Sequence, residues 1–480
     1  MSAGAGERIE AALVADERLR ALRSGLAEIG EAQIWVVGGA VRDALAGRSI
    51  DDIDLATDGD VAAIARDAAR LLGGSPFELS DDFATWRVSG PSAAWTLDVA
   101  ALRETTIEAD LGCRDFTVNA VAVALAGGEP IDPTGGIADL DRGILRPAFA
   151  GAFEADPLRM LRAARIGAGF ALEPSRETIE LIAASAPRAA EPAGERRFAE
   201  LRAMIAGERP LASLGLLDRL GLTAVVLPQL AALRGVSQSA NHHLDVYEHT
   251  IEVLRRWLEV ERDLERYAGR SAPAVEVALA EPLADGLTRR DGIRFAAVLH
   301  DIGKPATRTE QGGRVGFRGH DRVGAEMVAD LCRELRTSGR FSDYLAALTR
   351  HHLVLGFMTH ERPLRRRRIW EYLSVTGREA LDVTLLTVAD RLSAQGSGVP
   401  EQAIDAHLEL SREMIAEIVE LDREGPPEPL LDGRESAALL GAEGERIGEA
   451  VRELAAAQFA GEVDDRAAAE AHLRDWSAAR

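Results

Sequence analysis

The hydrophobic rhythm of this 480-residue chain changes once, near residue 154, and that change limits the folds open to it. Before it, short β-rich runs at Ile34–Val37, 87–88 and 96–99 and the apolar segment 118–125 alternate with helical stretches such as Val61–Leu72. After it, PLRMLRAARIGAGF, ETIELIAAS, RFAELRAMI and LGLLDRL place apolar residues three and four apart, the spacing of amphipathic helices. The expected architecture is an α/β head, a small mixed sheet with flanking helices, followed by an all-helical body. The length predicts about two to four domains. The pattern divides into an N-terminal helix (1–26), the head (27–150), a helical neck (151–235), a histidine-rich helical domain (236–400) and a helical tail (401–480). The Pro-rich GPPEP at 425–429 breaks that tail, and no fixed-period repeat runs through the chain.

With 46% hydrophobic and 28% charged residues the chain is globular rather than disordered. No apolar stretch reaches the ~20 residues needed to span a bilayer, and MSAGAGERIE is not a signal-peptide pattern. Cys113 and Cys332 are too few for a disulfide framework or a CxxC zinc site. A cytoplasmic protein with no membrane partner is expected. The net charge of −22 argues against broad non-specific nucleic-acid binding but leaves room for a local basic groove. Lys304 is the only lysine, so arginine abundance by itself carries no functional weight.

Chemistry concentrates in two places, and the first is the head. The run IWVVGGAVRDALAG reads as a strand, a Gly38-Gly39 turn and a helix carrying Arg42. Glycines there let phosphate approach backbone amides at a helix N-terminus, and Arg42 offers a fork to phosphate oxygens. A tight packing turn is the bland reading. DDIDL follows. Residues two apart on a strand share a face, so Asp52 and Asp54 point together while Ile53 and Leu55 face the core. Parallel carboxylates repel unless a divalent cation lies between them. Asp98, between Leu97 and Val99 in a second strand-like run, adds a third, and such a trio suits two Mg²⁺ ions. Asp156, Arg159, Arg162 and Arg165 recur every three residues, a slanted row on one helix face able to match the polar edge of a base. The competing reading is an exposed face with i,i+3 ion pairs.

The ordered set GGAVRDALAG…DDIDLAT, DLGCRDFTVNA and ADPLRMLRAAR spans about 170 residues and resembles the class II tRNA nucleotidyltransferase and bacterial poly(A) polymerase family. The resemblance implies untemplated nucleotide addition to an RNA 3′ end, with tRNA, CTP and ATP as partners. It implies that Gly39 and Arg42 bind the triphosphate, Asp52 and Asp54 hold Mg²⁺, and Asp98 fills the place of the third carboxylate. Arg114, Asp115 and Asn119 would contact the nucleotide sugar and phosphates, and the helix bearing Asp156 and Arg159 would select the base. Two positions depart from the family pattern: Cys113 where Arg is usual and Ala155 where Glu is usual. A larger departure is the near absence of residues between Arg103 and Asp110, where CCA-adding members carry a flexible loop. That shortness resembles the CC-adding enzymes, and implies that a partner enzyme adds A. A poly(A) polymerase, a non-catalytic RNA-binding regulator and a phosphohydrolase using the head for RNA binding are the alternatives.

The second place is the body, which holds all ten histidines. His249, His300-Asp301, His320, His351-His352 and Asp390 each sit in a segment of helical pattern, a set able to bind one or two divalent metals of unspecified identity. HLDVYEHT, LHDIGK, GHDRVGA, TRHH and ADRLS resemble the HD superfamily of metal-dependent phosphohydrolases. That resemblance implies a bridging Asp301, with His249, His300 and Asp390 on one ion and His320, His351 and His352 on the other. Lys304 would meet substrate phosphate. His242 and His243 read as supporting or surface residues. The basic run LRRRR at 364–368 reads equally as an RNA-backbone contact or a solvated helix start.

Overall fold

Strands β1 (Ile34–Val37), β2 (Asp52–Thr57), β3 (Ser75–Ser80), β4 (Thr85–Ser89), β5 (Thr96–Ala101) and β6 (Ala122–Ala124) form a mixed sheet in the order β3-β4-β5-β2-β1-β6. The computed structural model describes residues 4–26, 32–80, 84–93, 95–239, 242–396 and 400–479. The chain divides into two units, Met1–Val226 and Leu227–Arg480.

In the first unit β2 and β5 run parallel, and their register sets Asp54 opposite Asp98 and Asp52 opposite Thr96. β4 pairs antiparallel with β5 and puts Arg87 opposite Asp98. The period-two alternation then sorts the side chains. Ile53, Leu55, Leu97 and Val99 are buried in the larger apolar cluster, together with residues of helices α1 (Ala5–Ala15), α2 (Glu17–Leu26), α3 (Gly39–Leu45) and α4 (Val61–Leu72). The opposite face carries Trp35, Val37 and Ala56 under the short helix α5 (Ile107–Gly112), whose Ile107 and Leu111 join them. That patch covers only part of the face, and the carboxylates lie beyond it.

The expected N-terminal helix is two helices. Asp16 stands between α1 and α2 with extended backbone, and its carboxylate accepts from the amides of Arg18 and Leu19, starting the second helix afresh. After the sheet, helices Leu158–Phe170, Arg176–Ser185, Gly194–Ile205 and Pro210–Arg219 pack as the periodicity predicts.

The second unit is helical with two brief interruptions. Pro282–Ala284 pairs with Leu287–Thr288, and Thr309–Gln311 with Arg314–Gly316. Each is a hairpin whose two turn residues have positive φ: Asp285 and Gly286 at 55° and 71°, Gly312 and Gly313 at 57° and 75°. Asp-Gly and Gly-Gly are the pairs that tolerate such turns, and an eye on helical spacing alone passes over them. The long helix Glu401–Glu424 stops at Gly425, before the Pro-rich break. Beyond it three helices enclose a separate apolar cluster around Leu431, Leu454 and Leu473. Among the described residues no helix is long and apolar enough to cross a membrane.

Candidate active site and a second candidate metal centre

On the polar face of the head sheet lies a cleft of about 690 Å³ lined by eight arginines and eight aspartates. The lining is balanced in charge, whereas the chain as a whole has 56 basic residues against 78 acidic. The cleft is thus less acidic than the chain around it.

The three carboxylates are not equivalent. Asp52 accepts a hydrogen bond from the Thr96 hydroxyl (2.6 Å), and Asp98 accepts a two-pronged fork from Arg87, Nε to Oδ1 and Nη2 to Oδ2, both 2.7 Å. Asp54 accepts no hydrogen bond from any described residue. Burial, then the neighbouring charges of Asp98 and Asp52, push its carboxyl up to about 6, with Arg114 pulling the other way. An anion held without a donor is a site that gains from a cation. Gly38 closes the same corner. Its φ of +69° favours glycine, and a Cβ there would lie 3.1 Å from Arg114 and 3.3 Å from Asp54 Oδ2. Gly39 opens α3 directly behind it.

Arg42, Asn119, Asp115 and Arg162 form one continuous chain of hydrogen bonds. Arg42 Nη1 donates to Asn119 Oδ1 (2.8 Å), Asn119 Nδ2 to Asp115 Oδ1 (3.0 Å), and Arg162 Nε to Asp115 Oδ2 (2.7 Å). Burial would raise the Asp115 carboxyl, but Arg162, Asn119 and the Phe116 amide together hold it down at about 2. Arg42 also pairs with Asp43 and lies over the Phe170 ring. Arg114 pairs with Asp110 at 3.1 Å.

The row Asp156, Arg159, Arg162, Arg165 does not lie on one helix. Its helix begins at Leu158, and Asp156 precedes it in extended conformation. The reason is local: Pro157 disfavours the helical region for the residue before it, and Asp156 Oδ1 instead accepts from the Leu158 amide (3.1 Å). Asp156 Oδ2 accepts from Arg196 (2.8 Å). Arg159 donates to the carbonyls of Cys113 (3.1 Å) and Arg114 (3.3 Å), while Arg165 pairs with Glu200 at 2.6 Å. All four line the cleft, yet their partners are remote in sequence rather than one turn away. The i,i+3 pairing reading therefore fails, while the shared facing holds for Arg159, Arg162 and Arg165 on the helix and for Asp156 just before it.

In the body, His249, His300 and Asp301 converge within metal-ligand distance, as do Asp301, His320 and His352. Asp301 belongs to both groups, the place of a bridging carboxylate. Asp390 Oδ1 lies 3.0 Å from His249 Nε2 and joins the first. Three of the histidines close a helix or begin one, and the ring is fixed by the backbone. His300, His320 and His352 each set Nδ1 against the carbonyl three residues earlier, at 3.0, 2.7 and 2.7 Å. In the neutral ring, donating there turns each Nε2 into an acceptor aimed at the cluster. His320 and His352 then face each other Nε2 to Nε2 at 3.4 Å. His300 Nε2, both Asp301 oxygens and His249 Nε2 are buried without an aligned hydrogen-bond partner. Imidazole nitrogens and carboxylate oxygens that converge with ion-pair contacts but no aligned hydrogen bonds fit a divalent ion of imidazole and carboxylate preference. Burial would raise Asp301, but His300 and Lys304 hold its carboxyl well below the usual range. Lys304 Nζ is 2.6 Å from Asp301 and 2.7 Å from Gln238 Oε1.

His351 is outside both groups. It is half-buried on the far side of its helix end, among Arg350, Asp321 and Glu379, because neighbouring residues there point about 100° apart. Its place in the expected second trio is thus not supported by the geometry. His242 packs edge-on against His249, ring centroids 4.6 Å apart. Three of the four arginines of the LRRRR run are neutralised: Arg366 pairs with Glu417, Arg367 with Glu453 and Glu462, Arg368 with Glu361 and Glu371. They clamp helices of this unit together, which disfavours an RNA contact by those three side chains.

Comparison with known proteins matches three family models: the poly A polymerase head domain at 34–103 and 78–146, a probable RNA and SrmB-binding site of polymerase A at 169–233, and the HD domain at 246–395. The A-adding tRNA nucleotidyltransferase of Deinococcus radiodurans is 37% identical, over 92% of this chain and 95% of that protein. The CC-adding tRNA nucleotidyltransferase of Thermus thermophilus is 34% identical over 92% and 94%. The chain belongs to the tRNA nucleotidyltransferase family. It is an enzyme, with the family's nucleotidyltransferase head and an HD domain. A CCA-adding enzyme solved with ATP shares the fold, at a TM-score of 0.61 and 20% identity over 97% of this chain and 98% of that one.

Within this family setting, Arg87, Arg196 and Glu200 are cleft or cleft-supporting residues that reading the sequence did not single out. Arg87 alternates with Trp86 and Val88, so its facing was legible, but its partner strand was not. Arg196 and Glu200 lie four apart on one helix, a signal indistinguishable from an ordinary charged face.

Proposed function

We propose that this chain is a cytoplasmic tRNA nucleotidyltransferase that adds C to the tRNA 3′ end from CTP, and that a partner enzyme adds A. The observation that carries the choice of C is the connection from β5 to Arg114. It is a tight turn followed by α5, pinned by the Arg103 amide donating to the buried carboxylate of Asp110 (3.0 Å) and by Ile107 and Leu111 in the core. Such a segment has no length to act as a lever; the six residues 104–109 would reach only about 20 Å fully extended. Names among its relatives include A-adding, CC-adding and multifunctional CCA proteins, so the short connection is what favours C in this reading. A poly(A) polymerase role is disfavoured by those names and by the acidic chain.

In the reaction, the acceptor 3′ hydroxyl attacks the α-phosphorus of CTP, the bond to the β-phosphate breaks, and pyrophosphate leaves. Asp54 and Asp52 would hold Mg²⁺, which would supply activation of the hydroxyl and charge compensation at the departing pyrophosphate. Gly38 and Gly39 let the triphosphate approach the backbone, and Arg42 and Arg114 meet its oxygens. Asp115, Asn119 and Arg162 keep those groups in register with the base-reading end of the cleft. Asp156 offers a carboxylate oxygen to the exocyclic amine of the base, and Arg159 offers donors beside it. In the body, His249, His300, Asp301 and Asp390 would hold one divalent ion and Asp301, His320 and His352 a second, which would supply a metal-activated water for hydrolysis of a phosphomonoester or 2′,3′-cyclic phosphate. Lys304 meets the substrate phosphate.

Supplying tRNA that ends before its CCA with CTP alone, and tRNA ending in CC with ATP alone, tests the reading. Rapid incorporation of one or two C residues and A addition slower by about a hundredfold or more are expected. A addition at a rate close to that of C would refute C specificity.

A further inference from the structure

Across the sheet, Arg87 of β4, Asp98 of β5 and Asp54 of β2 stand side by side, because the two strand registers put Arg87 opposite Asp98 and Asp98 opposite Asp54. One cation therefore flanks two anions in a row whose spacing is that of neighbouring strands, about 4.8 Å. The Arg87 fork occupies both oxygens of Asp98, while Asp54 accepts nothing. Planar two-point contacts of this kind fix the carboxylate plane as well as its charge. We propose that Arg87 is a positioning residue for nucleotidyl transfer: it keeps Asp98 turned away from Asp54, so that the divalent-ion load falls on Asp54 and Asp52.

The inference rests on the transferase reading above, but its physical content is a statement about ion binding. With the fork intact, an ion between Asp54 and Asp52 has Asp98 as a neighbour of fixed orientation. Without it, Asp98 is free to turn along the sheet face and ligate the same ion. Removing a nearby positive charge strengthens cation binding further. The ion is then held more tightly and in the wrong place, so affinity rises while turnover falls. A residue that only stabilised the edge of the sheet would not produce that opposition.

The test uses the full chain. Mn²⁺ binding is followed by electron paramagnetic resonance in a His300→Ala/Asp301→Ala background, which removes the body's ions from the signal; kinetics of CTP incorporation use the otherwise unmodified chain. For Arg87→Gln, the Mn²⁺ half-saturation concentration is expected to fall about tenfold and kcat to fall at least about tenfold, with KM for CTP within about twofold. Adding Asp98→Asn to Arg87→Gln should return Mn²⁺ affinity toward the parent, since the released carboxylate is gone. Arg87→Lys keeps the charge without the fork and should lower kcat by about threefold or more, with a rise in Mn²⁺ affinity smaller than that of Arg87→Gln. An unchanged half-saturation in Arg87→Gln overturns the proposal. So does a tenfold rise in KM for CTP at unchanged kcat, which would make Arg87 a triphosphate contact. If Arg87→Gln does not fold, an unchanged kcat in Arg87→Lys overturns it instead. Should the parent incorporate no nucleotide, the transferase reading fails while the Mn²⁺ titrations still decide the fork.

Discussion

The two acidic centres of this molecule solve the problem of gathered negative charge in opposite ways. In the head, carboxylates lie along an open sheet face and the protein supplies cations of its own, Arg87 on Asp98 and Arg162 on Asp115. In the HD domain the ligands are buried, the imidazoles are locked by backbone carbonyls, and several acceptors have no aligned partner at all. The first is a site that a charged substrate completes. The second is arranged for ions before any substrate arrives. On the reading proposed above, the comparison separates a cleft that exchanges nucleotides from a candidate socket for metal.

The sharpest way to break this contrast is to remove the unsatisfied anion of the head. Asp54→Ala, and likewise Asp52→Ala, is expected to lower nucleotide incorporation by about a thousandfold or more. Phosphoester hydrolysis by the body should be unaffected. Wild-type incorporation by either variant, measured with labelled CTP, would remove the metal role assigned to that pair.

The complementary cut is in the socket. Combined His300→Ala and Asp301→Ala should abolish hydrolysis of bis-p-nitrophenyl phosphate or a 2′,3′-cyclic nucleotide and release bound divalent metal. His351→Ala should change that hydrolysis by less than about threefold, because its ring lies outside the cluster. A loss in His351→Ala as large as that in His300→Ala would restore His351 to the ligand set.

The smallest effect is thermodynamic and separates the two centres by pH. The Asp54 carboxyl sits at about 6 in the fold against an ordinary 3.8. Its raised value means the folded head prefers the proton. The metal-free protein is thus unpenalised below pH ~3.8, loses stability as pH climbs through 6, and carries the full deficit above that. The deficit is at most about 3 kcal/mol. With chelator present, Asp54→Asn should be the more stable protein, by a margin that widens by about 1.5 kcal/mol between pH 5 and pH 8 in urea unfolding. A margin independent of pH would show that Asp54 keeps its charge without penalty.

How much was legible depended on whether a partner was local. The strand alternation in DDIDL and LDV assigned the facing of Asp52, Asp54 and Asp98 correctly, since a two-residue period is a property of the strand itself. The GG turn, the helical body and the short β5-to-Arg114 connection were equally readable. The three-residue spacing from Asp156 to Arg165 misled, because Pro157 starts the helix after Asp156, and a spacing rule assumes the helix already exists. Adjacent His351 and His352 looked alike in the sequence, but the geometry of a helix end sends only one of them inward.

What the sequence by itself determined, then, is the inventory and the local geometry: which residues share a strand face, where glycine must turn, and which short element follows β5. These depend on backbone periods and steric limits within a few residues. What only the tertiary structure decided is the pairing of charges. Arg87 meets Asp98 through a strand register, Arg196 meets Asp156 from a helix 40 residues on, and Arg366, Arg367 and Arg368 spend their charge on glutamates as far as 95 residues away. Charge acts through space at a few ångströms, so which charges neutralise each other and which stay open to a substrate follows from packing and from no interval along the chain.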